Sequence, residues 1–202
     1  GQVSCQPDRA RMIAFGCRDQ LGVDVDTDHV MAERGKPAAD PSRSTSGAVT
    51  RACGLACAHC RANAIPHRDP RELSTVEARR LIDDLVAYNT PRPILVLTGG
   101  DPFERDDLAE LVGYATQRGL HVSLSPSVTP RLTAARLAGL RSAGASAVSL
   151  SLDGARPETH DGLRGIDGTH RDTLLAATMV REAGFRLQIN TGAEGGQEVH
   201  HL

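Results

Sequence analysis

The sequence predicts an α/β fold built on a parallel sheet. Short apolar runs alternate with helical patterns through residues 47–191, several helical patterns close on a glycine (Gly119, Gly144, Gly184), and polar turns follow the strands. Alternation of this kind requires parallel pairing through right-handed crossovers. An open doubly wound sheet and a TIM-type barrel both satisfy that order.

GAVTRAC, from Gly47, reads as the first strand. Ser74-Thr75-Val76-Glu77 is a capping box opening a helix that sets Ala78, Leu81, Ile82 and Leu85 on one face. PILVLTGGDP holds the second strand, Ile94 to Leu97, which stops at two glycines. Asp106 to Arg118 carries Leu108, Leu111, Val112 and Ala115 at helical spacing. HVSLSPS is the third strand, LTAARLAGLRSAG the third helix and AVSLSLDG the fourth strand. A helix over Thr169 to Ala183 precedes the fifth strand, RLQIN. The turns TGGDP, SPS, SLDG and INT therefore share the carboxyl edge of the sheet, where α/β folds place ligands.

Composition narrows the partners. The 202 residues carry 23 Lys plus Arg against 25 Asp plus Glu, a net charge of -2, so no nucleic-acid arm or membrane-surface patch is expected. No apolar run approaches the roughly 20 residues of a membrane helix, and no signal sequence is evident. A cytoplasmic location is the expectation, and there thiols stay reduced unless a metal takes them. Residues 1–46 are rich in Asp, Arg, Pro, Gly and Ser and read as a poorly structured lead-in, with Cys5 and Cys17 as incidental thiols.

CGLACAHC concentrates three of the five cysteines, Cys53, Cys57 and Cys60, directly after the first strand. Structural zinc sites and iron-sulfur clusters usually take four protein ligands. Three thiolates leave one metal position open, as a metal that must bind a cosubstrate requires. A zinc site completed by His59 or His67 is the alternative.

CGLACAHC resembles the C-x3-C-x-Φ-C motif of the radical S-adenosylmethionine (radical SAM) enzymes, with His59 at the aromatic position. Gly99-Gly100-Asp101-Pro102 is similar to the family's GGEP motif, with Asp in place of Glu. VTRACGLACAHCRA, LTGGDPFERDDL, Ser125 to Ser127, and LSLDG followed by His160, Asp161 and Arg164 resemble the branch that carries SPASM extensions, which includes peptide maturases and enzymes of haem side-chain processing. The resemblance implies a partial (β/α)6 TIM-like barrel of the radical SAM type. About five strand-helix units are present, so the chain is expected to be a truncated form: an incomplete core over 47–191 and an unstructured tail over 192–202.

The implied cofactors are a [4Fe-4S] cluster on Cys53, Cys57 and Cys60, and S-adenosylmethionine on its fourth iron. No catalytic residue beyond the cluster ligands is implied. Gly99 and Gly100 would let the backbone approach the methionyl end, and Asp101 would pair with its ammonium. Ser151, Arg164 and Asn190 would complete the cosubstrate pocket. The implied activity is reductive cleavage to a 5′-deoxyadenosyl radical that abstracts hydrogen from a peptide or tetrapyrrole-type small molecule, with ferredoxin or flavodoxin as reductant. The contrasting expectation is an inactive fragment that binds zinc or a cluster without turnover. Residue by residue, Asp101 has the alternative of a cap, Ser151 and Asp153 of turn formers, and Arg164 of a solvated loop residue. His160, His170, His200 and His201 are expected on the surface.

Overall fold

The computed structural model describes residues 44–88, 92–193 and 196–201. Strands β1 (Ser44–Thr50), β2 (Ile94–Gly99), β3 (His121–Leu124), β4 (Ala145–Ser151) and β5 (Arg186–Ala193) lie side by side in chain order, all parallel. Helices α1 (Thr75–Tyr88), α2 (Leu108–Gln117), α3 (Ala134–Ser142), α4 (Pro157–Arg164) and α5 (Thr169–Glu182) fill the crossovers. Strictly sequential order contains no reversal point, so successive right-handed crossovers place the helices on one face. That is the topology of a barrel arc and not of a doubly wound sheet.

The two faces of the sheet differ in chemistry. Leu95, Leu97, Val122, Leu124, Val148 and Leu150 are buried with Ile82, Leu108, Val112, Leu137, Leu140 and Val180 of the helices. Period-two alternation sends the intervening residues to the other face. There, register aligns Ser123 with Ala147, Ser149 with Gln188 and Ser151 with Asn190, a row of small and polar side chains. The apolar face packs against the helices and holds the fold together.

Local signals explain the element ends. The Ser74 N–H donates to Glu77 Oε2 at 2.9 Å and the Glu77 N–H to Ser74 Oγ at 3.3 Å, the reciprocal capping box that opens α1. Thr133 Oγ1 caps α3 by accepting the Arg136 N–H at 3.3 Å.

Three segments depart from expectation. β1 begins at Ser44, ahead of the expected boundary at 47; Cys5 and Cys17 lie outside the described residues. Pro157–Arg164, expected as loop, is α4, with Pro in its first turn and Gly165 in the left-handed conformation (φ 72°) at its end. Within the expected unstructured tail, Gly196–His201 forms β6, antiparallel to β5, and includes His200 and His201. Strand pairing is made by backbone N–H and C=O groups, so a segment without apolar alternation can form a strand against a sheet edge.

Candidate functional site

The loop from Cys53 to Cys60 is rooted where β1 leaves the sheet. Thr50 Oγ1 and the Arg51 N–H both donate to Glu72 Oε1 at 2.8 Å, and Glu72 is itself buried. The Cys53 N–H donates to the Ile65 carbonyl at 3.0 Å and the Ile65 N–H to the Arg51 carbonyl at 3.0 Å, which closes the loop at its base. From the other side, the Gly100 N–H donates to Thr50 O at 2.8 Å and the Asp101 N–H to Ala52 O at 2.7 Å. A Cβ at Gly99 (φ 129°) would overlap the Thr50 carbonyl oxygen, and one at Gly100 would overlap the carbonyl of Ala52 and lie 2.6 Å from that of Arg51. The glycine pair is thus required by contact between two backbones.

Each sulfur has a polar group directed at it from a different source. The Leu55 N–H donates to Cys53 Sγ at 3.4 Å and the Ala64 N–H to Cys60 Sγ at 3.4 Å. Arg164 Nη1 donates to Cys57 Sγ at 3.7 Å. The Cys53 thiol donates to Ser127 Oγ at 3.4 Å, whose own hydroxyl donates to the Gly100 carbonyl at 3.2 Å. Burial pushes the Cys53 thiol above its ordinary pKa, against the contrary pull of Ser127 and the Leu55 N–H. Among the described residues, no three His, Cys, Asp or Glu side chains are gathered as ligands of one metal ion. N–H donors directed at the sulfurs suit thiolates that must carry charge on a cluster. Three thiols in one loop, each met by an N–H donor, fit the protein side of a cluster held by three thiolates.

The expected cosubstrate residues divide. Asp101 is fully buried, and its carboxylate accepts the Phe103 N–H at 3.0 Å and the Thr129 hydroxyl at 2.8 Å while capping the 3₁₀ turn Pro102–Glu104. Burial holds its carboxyl above the ordinary value, and those two donors with the Ser127 N–H offset only part of that rise. Its geometry is that of a cap. Ser151 and Asn190 pair across β4 and β5 at the carboxyl edge and are half-buried. Asn190 accepts from Gln188 Nε2 at 2.7 Å through its side chain, and from the Leu152 N–H at 2.8 Å through its backbone.

Arg164 is not a solvated loop residue. It ends α4, and its Nη2 pairs with Asp153 Oδ2 at 2.5 Å. His59 Nε2 stands 3.6 Å from the same oxygen. One turn earlier on α4, His160 is 1% exposed, which corrects the expected surface position. Its Nδ1 accepts the Asp153 N–H at 3.0 Å, and Thr173 Oγ1 lies 3.5 Å from Nε2. Burial first, and Arg164 second, lower its pKa, so the ring is neutral with its proton on Nε2. His160 and Arg164, four residues apart, thus fasten the exit of β4 to α4. The Ala58 N–H donates to the Leu163 carbonyl at 2.9 Å, and a Cβ on Gly165 would lie 2.5 Å from Ala56 O, so the cysteine loop rests on the end of the same helix. Glu72 and Thr129, which hold the loop root and Asp101, carry no motif signal in the sequence.

Residues 48–196 match the profile of the Radical SAM superfamily. The chain is 43% identical over 159 residues to an AdoMet-dependent heme synthase of Oleidesulfovibrio alaskensis, covering 79% of this chain and 39% of that protein. It is 37% identical over 137 residues to mycofactocin maturase MftC of Mycolicibacterium smegmatis, covering 68% of this chain and 34% of the relative. In fold it is similar to methylornithine synthase, with a TM-score of 0.58 at 20% identity, over 71% of this chain and 42% of that structure. The chain spans about two fifths of the length of the heme synthase it matches. Members of this superfamily use a [4Fe-4S] cluster and S-adenosylmethionine. With its sequential parallel arc and its cysteine loop at the carboxyl edge, this chain belongs to the radical SAM superfamily.

Proposed function

We propose that this chain is the radical-generating core of a radical SAM enzyme, with Cys53, Cys57 and Cys60 holding three irons of a [4Fe-4S] cluster. When bound, the cluster supplies one electron that splits S-adenosylmethionine into methionine and a 5′-deoxyadenosyl radical, which removes hydrogen from a substrate. The observation that carries this reading is the C-x3-C-x2-C loop at the carboxyl edge, each of whose sulfurs has its own hydrogen-bonding partner.

The rest of the site supports binding and orientation. Gly99 and Gly100 hold the loop root through Thr50 and Ala52, and Asp101 fixes the turn that carries them. We assign the cosubstrate's polar groups to backbone at this turn, to Ser151 and Asn190 at the ends of β4 and β5, and to the remaining N–H groups of Arg164. The Asp101 carboxylate, held by Phe103 and Thr129, serves that pocket by shaping it. A one-electron carrier of the ferredoxin or flavodoxin type would supply the reductant. A tetrapyrrole-type substrate is favoured over a peptide because identity to the protein named as a heme synthase exceeds that to the maturase.

Anaerobic reconstitution with iron and sulfide, followed by dithionite and S-adenosylmethionine, tests the reading. The expected products are a four-iron cluster and 5′-deoxyadenosine. Cys57→Ala should abolish both, and Cys5→Ala neither. Uptake of zinc alone, or equal losses in the two variants, would overturn it.

A further inference from the structure

Arg164 lies between two groups of different kind. Its Nη2 forms an ion pair with Asp153 Oδ2 at 2.5 Å and its Nη1 donates to the Cys57 sulfur at 3.7 Å, with the Arg164 and Asp153 side chains only 14% and 9% exposed. Asp153 is in turn fixed by its backbone, whose N–H donates to the buried His160. Cys57 differs here from the other two cysteines, whose sulfurs take backbone N–H groups. The guanidinium is a rigid planar fork, so anchoring one amino group aims the other.

A solvent-facing ion pair would need no sulfur in reach. This one is largely buried, and its free arm points at a proposed cluster ligand. Resting on the cluster reading above, we propose that Arg164, aimed by Asp153, donates a charge-assisted hydrogen bond to the Cys57 sulfur and thereby raises the reduction potential of the cluster. Reduction adds one electron and one negative charge to the cluster, taken from the external one-electron donor. A donor N–H at a ligating sulfur stabilises that added charge, and hydrogen bonds to sulfur are a recognised control of cluster potential. Asp153 neutralises the guanidinium, so the bond acts as a directed dipole in a pair of zero net charge. Arg164 is the donor and Asp153 the positioning residue. The guanidinium has five N–H groups, so this bond leaves others for the cosubstrate.

The test is the midpoint potential of the reconstituted cluster, read by EPR-monitored titration without S-adenosylmethionine, at matched iron and sulfide content. Arg164→Met removes the donor and leaves the Asp153 anion, so the potential should fall. Asp153→Asn leaves the cation unbalanced, so it should rise. The double variant restores zero net charge without the donor and should fall below wild type by a smaller step. It also leaves no unpaired buried carboxylate, so it keeps the test open if Arg164→Met does not fold. Coincident midpoints in all variants would overturn the proposal, and a double variant equal to wild type would leave only net charge and overturn the donated bond. Failure of the wild-type chain to assemble any cluster would instead defeat the cluster reading, and this inference with it.

Discussion

The exits of β2 and β4 both carry a glycine-containing acidic motif, and the two are built in opposite ways. At Gly99-Gly100-Asp101 the turn grips its neighbours: the Gly100 and Asp101 amides go to Thr50 and Ala52, and the carboxylate to Phe103 and Thr129. At Ser151-Leu152-Asp153 the groups reach outward, through Arg164 to Cys57 and alongside His59. A strand end can therefore serve a site by clamping the backbone of a neighbouring loop or by presenting side chains to it. The second sort also offers side chains for contact with reacting molecules.

The largest expected effect lies on the clamping side. Gly100→Ala forces a methyl group into the carbonyls of Arg51 and Ala52, neither of which can yield without moving the loop root. A loss of about 3 kcal/mol is expected in urea unfolding. Survival of native stability would show that the clamp is dispensable.

Asp101→Ala comes next, at about 2 kcal/mol, because it strands the buried Phe103 N–H and the Thr129 hydroxyl. Asp101→Asn keeps an acceptor and should cost much less. The pH dependence sets the two regions apart. The Asp101 carboxyl titrates above its unfolded value because of burial, so its contribution to stability falls as pH rises through that window. At Asp161, on α4, burial also pushes upward but is outweighed by donors: the amides of Gly168 and His170 and the Thr169 hydroxyl. Its folded value lies below the unfolded one, so its contribution is present above the unfolded value and lost as pH falls. Stability curves of Asp101→Asn and Asp161→Asn against pH should therefore deviate from wild type with opposite slopes.

The smallest effect is a gain. Gly162 is exposed in α4, and a methyl group added there would have no neighbour within 4 Å, so Gly162→Ala should stabilise by about 1 kcal/mol in the same urea assay. A loss would mean that the presenting side makes a contact there which the methyl group displaces.

Much of this architecture could be read from residue patterns because apolar spacing decided it. The strands from Ile94, His121, Ala145 and Arg186 and the capping box at Ser74 were legible, and so was the cysteine loop's position at the carboxyl edge. α4 was not, because its buried face is made by His160 and not by an apolar stripe. β6 carries no apolar alternation in its sequence, so periodicity could not find it. The acidic residue of the Gly-Gly-Asp turn was recognisable as part of the site, but whether it faces a ligand or its own turn depends on Thr129, 28 positions away. Spacing along the chain carries no trace of that contact.

The contact between the cysteine loop and the end of α4 also bears on the order in which the chain matures. Cys57 and Arg164 are 107 positions apart, and bringing them together closes a long loop whose entropy must be met by contacts formed earlier. During synthesis the thiols emerge well before the helix that receives them. The loop's final shape thus awaits β4 and α4, and this contact forms only after most of the arc has assembled.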